Sequence, residues 1–193
     1  MIAALAMAAA VAATPPRIVI ASDSTAANYE PASYPQMGWG MVLKCSLTPD
    51  VQVINLARGG RSTKTFIEEG LWDQLVAQLQ PGDTVLIQFG HNDADTKKIV
   101  RFTDPNGAYE VNLRRFVADV RARKATPVLV TPIARWLWES GELKDAHTAY
   151  AATIHRVATD LKVPLVDLDG DMMKAMQARG PLASRGFYPV SYT

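Results

Sequence analysis

Apolar residues along this chain fall alternately into short runs and into helical stripes. Ile18 to Ala21, Val51 to Ile54, Thr84 to Gln88, Pro127 to Thr131 and Val163 to Leu168 are short apolar runs, most of them β-branched and bounded by turn formers, and they predict five strands. Between them, Trp39, Val42, Leu43 and Leu47 share a helical face, as do Leu71, Leu75 and Leu79. Leu113, Phe116, Val117 and Val120 form the clearest stripe, and Tyr150, Ile154, Val157 and Leu161 another. No hairpin signal is read between the strands. The alternation therefore predicts a parallel sheet whose right-handed crossovers place helices on both faces, an α/β fold in three layers. After the fifth strand a short helical run carries Met172, Met173 and Met176. The segment from Gly180 onward holds two prolines and two glycines without helical period, so residues 181–193 are expected to be an irregular tail.

The 193 residues suit one domain with a substantial core, and composition is ordinary: 48% hydrophobic, 20% charged, mean hydropathy −0.01. A net charge of +1 gives no electrostatic reason to expect a nucleic-acid partner, and the Arg114-Arg115 and Arg121-Arg123-Lys124 cluster reads as a solvated helix face. Cys45 is the only cysteine and the three histidines are widely spaced, so neither a disulfide framework nor a metal site is expected. Residues 1–13, MIAALAMAAAVAA, are apolar, uncharged and end in small residues. They read as a secretory signal with a mature chain from Thr14, although no Lys or Arg precedes them. The run is shorter than the roughly 20 residues a membrane span needs.

The unusual polar chemistry follows the strands. Ser22-Asp23-Ser24-Thr25 comes after the first, Arg58-Gly59-Gly60-Arg61 after the second, and His91-Asn92-Asp93 after the third. In a parallel sheet these positions meet at one rim, where ligands bind. Ser24 is the candidate nucleophile, with backbone N–H groups around it and a helix N-terminus beneath it. For an isolated D-S-T tripeptide, simple helix capping is the plainer alternative. Attack on an ester needs donors for the developing oxyanion, and the Ser24 N–H, the Gly60 N–H and the Asn92 amide would supply them.

Taken together, SDST, NLARGGRS and QFGHND resemble the first three blocks of the SGNH (GDSL-type) hydrolases, and NLARGGRSTKTF with GHND is closest in flavour to the rhamnogalacturonan acetylesterases. The resemblance runs from about Arg17 to about Asp171. It implies a three-layer α/β/α sandwich with a flavodoxin-like, five-stranded parallel sheet, Ser24 as nucleophile, and Gly60 and Asn92 completing the oxyanion hole. It further implies an acetylated, pectin-like polysaccharide as substrate, an acyl-serine intermediate and no cofactor. Ser22 stands where many relatives have glycine. A larger departure concerns the Asp-x-x-His block that such enzymes carry after the fifth strand: no histidine follows His155. The expectation is a hydrolase domain over residues 14–180 that is incomplete, with its last helix missing, apolar sheet surface exposed and little esterase activity, because a serine without an imidazole is a poor nucleophile.

Other residues have two readings each. His91 is the best substitute base, with a structural hydrogen-bonding role as its alternative. His147 either touches substrate or acts locally, and His155 is expected at the surface. Trp136 and Trp138 could stack on a sugar, one of them serving only as packing. The spacing of Gly59-Gly60-Arg61-Ser62-Thr63-Lys64 does not fit a phosphate loop, and neither G-x-G-x-x-G after the first strand nor G-x-S-x-G is present. The rivals to an acetylesterase are an inactive remnant that only binds polysaccharide and, on fold alone, a nucleotide binder.

Overall fold

The predicted strands form, and they pair in parallel. In the computed structural model, which describes residues 15–188, β1 (Arg17–Ala21) is followed by α1 (Trp39–Val42) and a 3-10 turn over Leu43–Ser46. Next come β2 (Gln52–Asn55), α2 (Thr63–Glu68), α3 (Leu71–Ala77), β3 (Thr84–Gln88), α4 (Ala108–Ala122) and β4 (Thr126–Val130). A small hairpin, β5 (Trp138–Glu139) with β6 (Glu142–Leu143), precedes α5 (Thr148–Leu161), β7 (Leu165–Val166) and α6 (Leu168–Ser184). The main sheet has the order β2-β1-β3-β4-β7, all parallel, with Val19 opposite both Ile54 and Val85, and Leu129 opposite both Ile87 and Leu165. In this order the connection reverses direction between β1 and β3, so a crevice opens at their carboxyl ends. The expected signal segment lies outside the described residues.

The two pleats of the sheet differ. Val19, Ala21, Val85, Ile87 and Leu129 face one continuous core with Trp72, Leu75, Tyr109, Phe116, Ile154 and Val157 from α3, α4 and α5. Trp72 stacks on Phe116 with centroids 3.9 Å apart, while its indole N–H donates to Asp119 at 2.8 Å, so a large ring is buried without stranding its polar atom. Ile20, Gln88 and Val130 are buried on the opposite pleat, outside that cluster. Leu86 and Val128 on the same pleat are half-buried.

Four expectations need correction. The stripe through Trp39 to Leu47 is one helical turn and a 3-10 turn, stopped before Pro49-Asp50. A hairpin does exist: Ser140 and Gly141 both have positive φ (49° and 82°), which suits the tight two-residue turn between β5 and β6. The last strand is shorter than Val163 to Leu168, because the Val163 N–H bonds back to Ala158 and Asp167 caps α6. The tail is not irregular from residue 181: α6 continues to Ser184 and a 3-10 turn covers Arg185–Phe187. Gly180 breaks the helix with φ 75° and ψ 173°, and Pro181 then starts a new helical turn, where its missing N–H has no partner to lose.

α1 lies against the turn after β1 because two glycines let it. A Cβ on Gly38 would stand 2.2 Å from the Ala27 carbonyl oxygen, while the Trp39 N–H donates to the Thr25 carbonyl at 2.9 Å. Backbone cannot give way as a side chain can. Gly38→Ala should lower stability by about 2 kcal/mol in urea unfolding; an unchanged midpoint would show that the loop before α1 relaxes freely.

Candidate active site

The chain leaves β1 through a turn built by Asp23. The Asp23 carbonyl accepts from Ala26 N–H (3.3 Å) and Ala27 N–H (3.1 Å), and its buried carboxylate accepts from the Thr25 N–H at 2.9 Å. Burial raises the Asp23 pKa, with the Thr25 bonds opposing the shift. No helix begins at Ser24, contrary to expectation; the turn closes on itself and the next helix is α1. Ser24 is half-buried and its carbonyl accepts from Tyr29 Oη at 2.9 Å. Neither its N–H nor its hydroxyl has a hydrogen-bond partner among the described residues.

Beneath the turn sits Gln88, the last residue of β3. Its Oε1 lies 3.0 Å from Ser22 Oγ, 3.1 Å from Thr25 Oγ1 and 2.7 Å from Trp39 Nε1, and its Nε2 donates to the Thr131 carbonyl at 3.1 Å. One buried amide thus joins the ends of β1, β3 and β4 to α1.

The second strand end reaches Ser24 from the side. The Arg58 N–H bonds the Ser22 carbonyl (2.9 Å), and a Cβ on Gly59 would lie 3.7 Å from Ser24 Cβ. Arg58 to Arg61 form a β-turn closed by Arg61 N–H to Arg58 carbonyl at 3.3 Å, with Gly60 at φ +78°. A positive φ at the third position is the mark of a type II turn, which glycine takes without strain. The Gly60 N–H makes no hydrogen bond among the described residues. From the third strand end, buried Asn92 donates its Nδ2 to the Arg61 carbonyl at 2.8 Å. The structure therefore brings Ser24, Gly60 and Asn92 to one rim of the sheet.

The histidines are placed differently from one another. His91 lines a cleft of about 930 Å³ that Thr25, Trp39, Arg135, Trp136 and Tyr188 also border. Its Nδ1 is buried without a partner, and burial followed by the nearby Arg135 charge pushes its pKa down to about 3, so the ring is neutral at pH 7. His147, expected as a substrate contact, is 1% exposed and absent from the cleft wall. Asp145 accepts the His147 main-chain N–H at 2.7 Å, and the ring lies inward, 3.7 Å from Asp169 and 5.1 Å, ring to ring, from His91. His155 lies on α5, half-exposed, 3.4 Å from Asp167. None of the three bonds Ser24 among the described residues. Trp136 borders the cleft, but its indole N–H points to the Pro181 carbonyl and Ser184 Oγ, both at 3.2 Å, which ties this loop to α6.

Sequence reasoning missed Gln88, Arg61 and the carboxylate of Asp93. Asp93 Oδ1 accepts from Thr63 N–H (3.0 Å), Thr63 Oγ1 (2.6 Å) and Thr103 Oγ1 (2.7 Å). The capping signal Ser62-x-x-Thr65 at the start of α2 was available to find this region. Among the described residues no three His, Cys, Asp or Glu side chains gather as a metal site, and no helix is long and apolar enough to cross a membrane.

Comparison with known proteins accords with this layout. The GDSL-like lipase/acylhydrolase profile matches residues 23–189. The chain belongs to the GDSL-like lipase/acylhydrolase family. This GDSL-like chain is 38% identical to a probable rhamnogalacturonan acetylesterase, YesY of Bacillus subtilis, over 78% of its own length and 69% of that protein. It is 33% identical to the B. subtilis rhamnogalacturonan acetylesterase RhgT over 90% of its length and 74% of that protein. The crystal structure of B. subtilis YxiM superposes with a TM-score of 0.80 at 28% identity, covering 91% of this chain. The chain spans about half of that protein, 49%. The acetylxylan esterase Axe2 of Geobacillus stearothermophilus shares the fold, with a TM-score of 0.64 at 18% identity over 84% of this chain and 80% of that one.

Two buried groups give this GDSL-like domain opposing pH responses. Burial pushes the Asp93 pKa up to about 6, so its contribution to stability is complete below pH 4 and lost as pH rises through 6. His91, held down to about 3, contributes stability above its ordinary 6.5 that is lost as pH falls toward 3. Between pH 7 and 5, Asp93→Asn should therefore lose more stability than the wild type, by about 1 kcal/mol, and His91→Gln less, by about 2 kcal/mol, in urea titrations at each pH. Parallel pH profiles for all three proteins would contradict both assignments.

Proposed function

We propose that this chain carries the nucleophile and oxyanion hole of an acetylesterase acting on an acetylated polysaccharide of the rhamnogalacturonan type. The observation that carries this reading is the Ser24 hydroxyl set against the Gly59-Gly60 turn, with the Ser24 and Gly60 N–H groups uncommitted and the Asn92 amide beside them. The names of the two B. subtilis relatives support the substrate class.

In this mechanism Ser24 Oγ attacks the acetyl carbonyl carbon while the carbonyl electron pair moves to oxygen. That oxyanion takes hydrogen bonds from Ser24 N–H, Gly60 N–H and the second hydrogen of Asn92 Nδ2. Each donor is worth on the order of 3 kcal/mol in the transition state. Collapse of the tetrahedral adduct expels the sugar hydroxyl, and water then releases acetate from the acyl-serine. Residues 1–13 support action outside the cytoplasm, since an apolar stretch ending in small residues suits a secretory signal.

The Ser24 proton needs a base, and the histidine placements favour slow turnover by these residues alone. His91 lines the cleft beside Thr25, the residue after Ser24, and is neutral, which favours it over His147 and His155 as that base. Loss of the histidine in a comparable triad costs about a million-fold in turnover. The competing reading is a polysaccharide binder without turnover, and it draws on the same observation.

The deciding experiment is release of p-nitrophenol from p-nitrophenyl acetate by the purified chain beside its Ser24→Ala variant. The expected result is slow hydrolysis that disappears in Ser24→Ala and falls at least tenfold in His91→Ala. Equal rates in wild type and Ser24→Ala, with retained affinity for acetylated rhamnogalacturonan, would support the binder instead.

A further inference from the structure

The Gly59-Gly60 peptide can face either of two ways. In a type II turn its N–H points to one side, and rotation to type I, with ψ of the second residue going from about +120° to about −30°, turns that N–H away. Gly60 permits both states, so glycine alone does not choose. Because a trans peptide directs its C=O and N–H oppositely, whatever holds the Gly59 carbonyl also aims the Gly60 N–H.

Arg61 holds it. Its Nη1 donates to the Gly59 carbonyl at 2.8 Å, and its Nε is braced by Glu69 Oε2 at 2.9 Å. A guanidinium on the carbonyl also polarises the peptide, which strengthens the N–H at the other end of the same group. The main-chain carbonyl of Arg61 meanwhile accepts from Asn92 Nδ2 at 2.8 Å, occupying one amide hydrogen and orienting the other. Arg101, paired with Asp95 at 2.5 Å, reaches the Gly60 carbonyl at 3.4 Å and so touches the following peptide, not this one.

We propose that Arg61 is the positioning residue of the oxyanion hole, its guanidinium fixing and polarising the peptide that carries the Gly60 N–H while its carbonyl fixes the Asn92 amide. This rests on the esterase reading for the role of those donors. The side chains of Arg61 and Glu69 are 36% and 42% exposed, so replacing either leaves the core intact.

The test compares wild type with Arg61→Ala, Arg61→Lys and Glu69→Gln in two readouts. In p-nitrophenyl acetate hydrolysis, Arg61→Ala should lower kcat about tenfold or more with KM within about twofold and an unchanged melting temperature, since losing a whole oxyanion donor costs roughly a hundredfold or more. Arg61→Lys should recover part of kcat, and Glu69→Gln should fall between. In amide NMR of the unliganded protein, the Gly60 proton should move upfield in Arg61→Ala and return partway in Arg61→Lys. An unmoved Gly60 resonance overturns the proposal, as does a fall in melting temperature that accounts for all lost activity. If the wild type shows no Ser24-dependent hydrolysis, the esterase reading fails and the Gly60 shift still decides whether Arg61 controls this peptide.

Discussion

A buried carboxylate must be met by donors where it lies, and Asp93 places that demand at the centre of this fold. Thr63 answers it with both its N–H and its hydroxyl, Thr103 with its hydroxyl. Asn112 of α4 donates to the same Thr63 hydroxyl at 3.0 Å, and Tyr150 of α5 donates to the Asp93 carbonyl at 3.0 Å. Two strand ends and two helices are therefore joined through Asp93 and its partner Thr63. Gly60 and Asn92 flank this knot in sequence, and their relative placement depends on it more directly than on the apolar core.

The rim inherits its precision from polar contacts of this kind. Gln88 secures the Ser24 turn from below, Asp23 folds it, and the Gly59-Gly60 turn meets it laterally. The donors expected to serve an oxyanion are all short-range: two main-chain N–H groups and one side-chain amide anchored to a carbonyl. The histidines stand apart from this scheme, one neutral in the cleft, one buried against Asp169 and one on an outer helix.

The strand runs and the polar residues at their ends were legible in the sequence because both follow local rules: buried parallel strands are continuously apolar, and a turn at a strand end needs Gly, Asp, Asn or Ser. What escaped was set by contacts that no residue pattern announces. Pro181 reads as a stop, yet after Gly180 it opens a helical turn held by Trp136. His147 sits in a polar stretch, and only its burial beside Asp169 shows that it turns inward. Arg61 is one charge among several in its segment, and nothing local reveals that its guanidinium would find the Gly59 carbonyl. The Ser140-Gly141 pair, by contrast, is a turn signal that the sequence itself carries.

The polar end of β3 bears on how the sheet assembles. Side chains alternate across a strand, so sliding β3 by one residue against β1 or β4 would swap its two faces. Gln88 would then enter the layer of Trp72 and Phe116, where an amide has nothing to bond, and Ile87 would face Ser22 and Thr25. A purely apolar strand could tolerate that exchange more readily. The single amide in this strand thus makes misaligned pairings costly at the edge where Ser24 emerges, so that correct assembly of the sheet and correct placement of Ser24 become one event.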